Sequence, residues 1–193
     1  HPHLYRQRVE LLASKPFCTQ RFPYSAYLET GCIVLGRFYF CMAKILWYGD
    51  AVSHTGFARV THSLLEHLSK NHEVVVFGIN YNGDPHPYDF KIYPAAGVNP
   101  GDRFGLARLP SVVEEEKPDF IIAVNDIWMI NQVWEKIHFL QPTLGFKFIP
   151  YFPIDSERYA DSMLRYVKDW DFSVTFTVQQ AQRIQNHNVQ PKM

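Results

Sequence analysis

From Lys44 onward, short apolar runs alternate with amphipathic stretches, and this alternation restricts the fold more than any other feature of the chain. "KILWYG" (44–49) and "HEVVVFGI" (72–79) are short and apolar, the second rich in β-branched residues, which predicts buried strands. Between them Phe57, Val60, Thr61, Leu64, Leu65 and Leu68 recur at the spacing of one helical face, and Asn71 is a plausible stop. After a loop-rich stretch from Tyr81 to Pro110 the pattern resumes. "FKIYPA" (90–95), "PDFIIAVND" (118–126), "FKFIPYFPID" (146–155) and "DFSVTFTV" (171–178) read as strands. "GLARLPSVVEEEK" (105–117), "MINQVWEKIHFL" (129–140), "DSMLRYVKDW" (161–170) and "QQAQRIQNHN" (179–188) read as helices. Pro110 belongs near the first turn of its helix or kinks it. Met163, Leu164, Val167 and Trp170 give the 161–170 stretch its helical spacing.

Six strands alternating with helices imply parallel βαβ units. The expected fold class is α/β: a doubly wound, mostly parallel six-stranded sheet, Rossmann-like. Such sheets bind ligands beyond the carboxyl ends of their strands, where the strand order reverses. The polar residues at those ends are therefore the candidates for function.

Length and composition place limits on the rest. The chain has 193 residues, 47% hydrophobic and 20% charged, with zero formal net charge. That suits one medium domain, alone or with an appendage. No basic stripe for nucleic acid is evident, and no apolar run is long enough for a transmembrane helix. The charge is unevenly divided. Residues 1–41 carry Arg6, Arg8, Lys15, Arg21 and Arg37 against Glu10 and Glu29, a net of +3, leaving −3 for residues 42–193. Cys18, Cys32 and Cys41 all precede Met42. The remainder needs no disulfide and offers no cysteine metal site, as expected of a cytoplasmic protein. We expect residues 1–41 to be an amino-terminal extension outside the native domain, and residues 42–193 to be the domain itself.

The loop "GDAVSHTGFAR" (49–59) joins the first strand to the first helix. A strand feeding a helix this way aims backbone N–H groups at the crevice, and the helix dipole adds partial positive charge. Gly56 allows close approach of a ligand to the backbone. Ser53 and Thr55 can cap the helix or donate to an oxygen. An anion such as a diphosphate suits the loop; a capped helix start without a ligand is the competing reading. Neither G-x-G-x-x-G nor a Walker A sequence is present. Asn125 and Asp126 follow "FIIAV", where a carboxylate can orient a hydroxyl or take a proton, or simply cap the next helix. Asp50, Asp155 and Thr177 close other strands at the same edge, and the last two are also candidate helix caps. His62 and His67 are five residues apart and do not share a helical face; no H-E-x-x-H or G-x-S-x-G occurs, and no metal site is expected.

The order of these motifs resembles the amino-terminal half of glycosyltransferases of the GT-B fold, family 4 type. "KILWYGDAVSHTGFARVTHSLLEHLSKNHEVVVFG" is similar to their opening strand, Gly-bearing loop, helix and "G-H-E-V" strand, with Asn71 where Gly is common. "EEEKPDFIIAVND", "YFPID" and "TFTVQQAQRIQNHNVQPKM" resemble later segments, with Thr177 at a usual Ser. The resemblance spans about 43–193. It implies retaining transfer of a sugar from a nucleotide-sugar donor to an unknown acceptor, with no metal cofactor. Gly56 and its neighbours, Phe57 and Arg59 included, would approach donor or acceptor. Asp126 would stand where the family has a His or an acidic residue near the transferred sugar. The tandem Gly of the family's loop is reduced here to Thr55-Gly56. A second Rossmann-like domain would supply most donor contacts, and the half alone would transfer sugar poorly. Two other readings stand beside this one. A non-catalytic Rossmann-like module could use the same edge to hold a ligand or partner. An oxidoreductase cofactor domain is disfavoured by the missing glycine fingerprint and by Asn80, where the second strand should end in an acid.

Overall fold

The computed structural model describes residues 32–35, 38–96, 101–154 and 160–186. The chain divides into two compact units, His1–Met42 and Ala43–Met193. In the first, β1 (Cys32–Leu35) and β2 (Phe38–Cys41) form an antiparallel hairpin in which Cys32 is opposite Cys41.

The second unit is an α/β fold around six strands: β3 (Lys44–Asp50), β4 (Glu73–Ile79), β5 (Lys91–Pro94), β6 (Phe120–Val124), β7 (Lys147–Phe152) and β8 (Val174–Thr175). All neighbours pair parallel, in the order β5-β4-β3-β6-β7-β8. This is the Rossmann arrangement, with its reversal between β3 and β6. Asp119 secures that junction: its carboxylate accepts from the Lys44 N–H at 2.7 Å and its own N–H donates to the Lys44 carbonyl at 2.9 Å.

Alternation along the strands supplies two apolar faces. Leu46, Tyr48, Val75, Phe77, Ile121 and Phe148 pack on one side with helices α2 (Leu109–Glu116) and α3 (Ile127–Ile137). Ile45, Trp47, Val74 and Val76 pack on the other against α1 (Gly56–Leu68). The helical stripe read from the sequence faces this second layer, with Thr61 and Leu65 buried and Phe57, Val60, Leu64 and Leu68 packed against it. Thr61 also accepts a 3.0 Å hydrogen bond from the buried Trp47 indole, which satisfies a donor inside the core. α1 ends at Leu68, before Asn71. The β4–β5 connection has no helix. Aromatic rings pack there instead, with Tyr88 stacked between His62 of α1 at 4.2 Å and Phe90 at 5.6 Å.

Two expectations need correction. Residues 161–170 form a series of turns, not a helix. Their backbone bonds reach only three residues back, from Met163 to Ala160, Leu164 to Asp161 and Val167 to Leu164. Asn131 of α3 takes the Met163 carbonyl at 3.0 Å, an acceptor that a helix would need. Leu164, Val167 and Trp170 are still buried, so apolar spacing reported burial and not helicity. The strand expected over 171–178 shrinks to Val174–Thr175, because Asp171 turns inward to bind Gln141, Lys147 and the Phe148 N–H. After Ile137 a 3-10 turn (His138–Leu140) leads into the four-residue helix α4 (Gln141–Leu144), and α5 spans Val178–Asn186. Pro110 lies in the first turn of α2 without kinking it.

At the amino edge of the sheet, opposite the loops of interest, Glu116 closes a charged cluster. Its carboxylate meets Lys44 at 2.6 Å, Lys91 at 2.7 Å and the Tyr93 hydroxyl at 2.5 Å. Burial opposes ionisation of Glu116, but these three donors outweigh it and hold its pKa down to about 2. Burial, then the Glu116 hydrogen bond, push the Tyr93 hydroxyl up to about 12.

Candidate functional site

Two loops meet the carboxyl ends of β3 and β6, the place where this fold class forms its ligand crevice. In the first, Asp50 ends β3 and is 4% exposed. Its Oδ1 accepts from the Ser53 hydroxyl at 2.9 Å and the Asn80 amide at 3.0 Å, and its Oδ2 from the Thr55 hydroxyl at 2.8 Å. Thr55 is the N-cap of α1 and accepts from the Ala58 N–H at 3.1 Å. One buried carboxylate therefore ties the loop to the helix cap and to the end of β4. Ser53 serves Asp50, not the helix.

Asn80 was visible in the sequence only as a residue that is not acidic. It adopts a left-handed conformation, φ 55°, which asparagine tolerates better than most residues. That conformation accompanies its bond to Asp50 and a second, from its backbone N–H to the Arg103 carbonyl at 2.9 Å. A carboxylate at this position would face Asp50 as a like charge; the amide donates to it.

Gly56 opens α1, is exposed, and a Cβ built there meets nothing within 4 Å. Its backbone is therefore open to approach, and packing does not require glycine. Phe57 is half-buried and its ring lies 6.5 Å from that of Phe176, which precedes Thr177. Arg59 is exposed, and among the described residues its guanidinium has no hydrogen bond or ion pair. Thr177 caps α5, its hydroxyl accepting from the Gln180 N–H at 3.2 Å. Asp155 lies outside the described residues.

In the second loop Asn125 is buried and its side-chain oxygen accepts from the Asp126 N–H at 2.8 Å. Asp126 occupies the N-cap position of α3, yet its side chain makes no capping hydrogen bond. The capping role weighed for this pair thus falls to neither side chain. The Asp126 carboxylate is half-exposed and, among the described residues, no hydrogen bond engages it.

Two further side chains reach this edge that sequence reasoning did not single out. Trp128, in the first turn of α3, is 43% exposed, and Phe104 of the β5–α2 loop meets it edge-on at 5.8 Å and 90°. A tryptophan two residues after a strand-ending Asn-Asp pair was the available signal. Among the described residues no group of three or more His, Cys, Asp or Glu could hold a metal ion, and no helix is long and apolar enough to cross a membrane.

No known family model and no curated protein matches the chain. Among solved structures, the Bordetella bronchiseptica enzyme WbmH in complex with NAD+ is similar, with a TM-score of 0.40 and 12% sequence identity. The match covers 69% of this chain and 55% of that one, so the chain spans little more than half the length of that structure.

Proposed function

We propose that residues 43–193 form the acceptor-side half of a retaining glycosyltransferase of GT-B type, which moves a sugar from a nucleotide-sugar donor. The observation that supports this reading is the pairing, at the reversal of the strand order, of an unobstructed helix N-terminus with a carboxylate that has no hydrogen-bond partner among the described residues. The first is the Gly56 end of α1, whose Thr55 cap is bound to Asp50. The second is Asp126. An anionic diphosphate suits the first through backbone N–H groups and the helix dipole. Asp126 is suited to orient a hydroxyl beside the transferred sugar. Ser53, Thr55, Asn125 and Asp50 act by positioning these groups, and Phe57, Arg59, Asp155 and Thr177 complete the proposed binding set. A second domain closes the other wall and supplies most of the donor contacts, in a cytoplasmic enzyme that needs no metal. Without it the electrostatic clamp on the leaving diphosphate is incomplete.

The test is release of nucleoside diphosphate by the full gene product, incubated with a panel of UDP-, GDP- and ADP-sugars. Release with one donor, lost in Gly56→Val and Asp126→Ala while both variants stay folded, is the expected result. A folded protein that neither releases diphosphate nor binds any donor by calorimetry overturns the transferase reading and favours a non-catalytic binding module.

A further inference from the structure

We propose that Trp128 and Phe104 form a preorganised stacking ledge for a carbohydrate ring, and hence that the acceptor is itself a sugar or a glycoside. The inference rests on the transferase reading and names its acceptor class.

The four tryptophans of the chain divide sharply. Trp47 and Trp170 are fully buried and Trp134 is 6% exposed, whereas Trp128 is 43% exposed. Its place is what matters: it lies at the carboxyl edge of the sheet, where open α/β sheets bind their ligands. It is also held in place. Phe104 abuts it edge-on, and Phe104 itself is anchored from below by the Tyr48 hydroxyl, which donates to its carbonyl at 3.0 Å. The neighbouring Arg103 carbonyl is taken by Asn80. The Asp102 carboxylate accepts from the N–H groups of Leu106 and Ala107 at 3.2 and 3.0 Å. Gly105 fixes the bend: its φ is +66°, and a Cβ there would come within 2.5 Å of Phe77. The loop that carries the ledge is thus tied to β3 and β4, and through Asn80 to Asp50. An ordered ring spares the ligand the entropy of ordering it.

The groups beside the ledge select the ligand. Asp126 lies two residues before Trp128, and its carboxylate oxygens are uncommitted among the described residues. Arg103 is exposed, with its guanidinium 5.5 Å from the Phe104 ring centre, and offers donors. A pyranose has an apolar C–H face that suits the negative face of an indole, and a rim of hydroxyls that both donate and accept. A nucleobase would use the ring as well, so nucleosides are the competitors against which the glycosides are set.

Trp128 is its own reporter, because a quencher in water reaches it before the three buried indoles. The chain is titrated with the methyl glycosides of glucose, galactose, mannose and N-acetylglucosamine, and with disaccharides of the same sugars. Acrylamide quenching is read at each step. The expected result is saturable protection by at least one of these probes, with a millimolar Kd typical of small ligands. By calorimetry, which needs no reporter, binding is lost in Trp128→Ala, survives in Trp128→Tyr and weakens several-fold in Phe104→Leu. No protection by any glycoside in the folded wild-type chain overturns the proposal, as does equal or better protection by uridine, guanosine or adenosine. The titration uses no donor, so the two failures are distinguishable: failure here leaves the diphosphate-release result standing, whereas failure there leaves the glycoside binding standing but removes its meaning as an acceptor site.

Discussion

Replacing Glu116 by glutamine tests whether the charged cluster at the amino edge holds the sheet together. The carboxylate is only 7% exposed on its side chain and is shared by Lys44 and Lys91, themselves 27% and 56% exposed. Its pKa falls from 4.5 to about 2 on folding. At about 1.4 kcal/mol per pH unit, that drop sets a ceiling of about 3.5 kcal/mol on what ionisation contributes. Water screens both lysines, which brings the expected contribution to about 1–2 kcal/mol. The sign follows from the lowered folded pKa. The stabilisation is complete well above pH 4.5 and drains away as pH falls toward 2. Urea unfolding of wild type and Glu116→Gln at pH 7 and pH 3 reads this directly, because every other carboxylate is common to both proteins. At pH 7 the variant should be less stable by about 1–2 kcal/mol, a fall in Tm of roughly 2–8 °C for a domain of this size. At pH 3 most of that gap should close. A gap that is absent at pH 7, or equally wide at both pH values, would refute the reasoning.

Gly105→Ala should cost about 3 kcal/mol or more in a thermal melt, since it combines a left-handed φ of +66° with a 2.5 Å approach to Phe77. Gly56→Ala, with open space around it, should leave the Tm within a few degrees of wild type. Thr61→Val strands the buried Trp47 N–H and should cost about 1–3 kcal/mol by urea titration. Asp50→Ala removes the acceptor of three side-chain donors; hydrogen exchange at the Ala58 amide should quicken as the Thr55 cap loosens, with about 2–3 kcal/mol lost overall. His72, whose pKa burial depresses, accepts from the Ala43 N–H through Nδ1. Its contribution is present above pH 6.5 and falls away below it, and His72→Gln should flatten that slope in a pH series of melts.

The sheet was legible in the sequence because a strand buried on both faces has a short, continuous apolar signature. "HEVVVFGI" and "FIIAV" need no tertiary information to be recognised. The strand ends at Asp50 and Asn125 followed from the same kind of signature in β3 and β6. The turns at 161–170 were not legible, because Leu164, Val167 and Trp170 show the spacing of a helix while Asn131, distant in sequence, takes one of its carbonyls. The short β8 has a similar origin in the Asp171 contacts. At the candidate site, residue types were visible but not partnerships. Nothing local says that Asp50 is bound by an asparagine 30 residues away, or that Asp126 leaves its helix uncapped. The Phe104–Trp128 pair joins separate connections of the fold, so the place of Trp128 was visible in the sequence but its partner was not.

The position of β3 has a consequence for the order in which the chain assembles. Its pairing with β4 closes a short loop, since Ala43 and His72 are 29 residues apart, whereas its pairing with β6 must bring together Lys44 and Asp119 across 75. The longer closure costs only about 0.8 kcal/mol more in loop entropy, but β6 cannot take part until it has been synthesised. A nascent chain that has released only the β3–α1–β4 unit would hold the other edge of β3 unpaired. That edge is an apolar strand with open backbone donors and acceptors, the kind of surface that recruits chaperones or a second chain. The Asp119 clamp that fastens β3 to β6 is thus also the contact that retires a folding hazard, and its loss should show first as aggregation during expression.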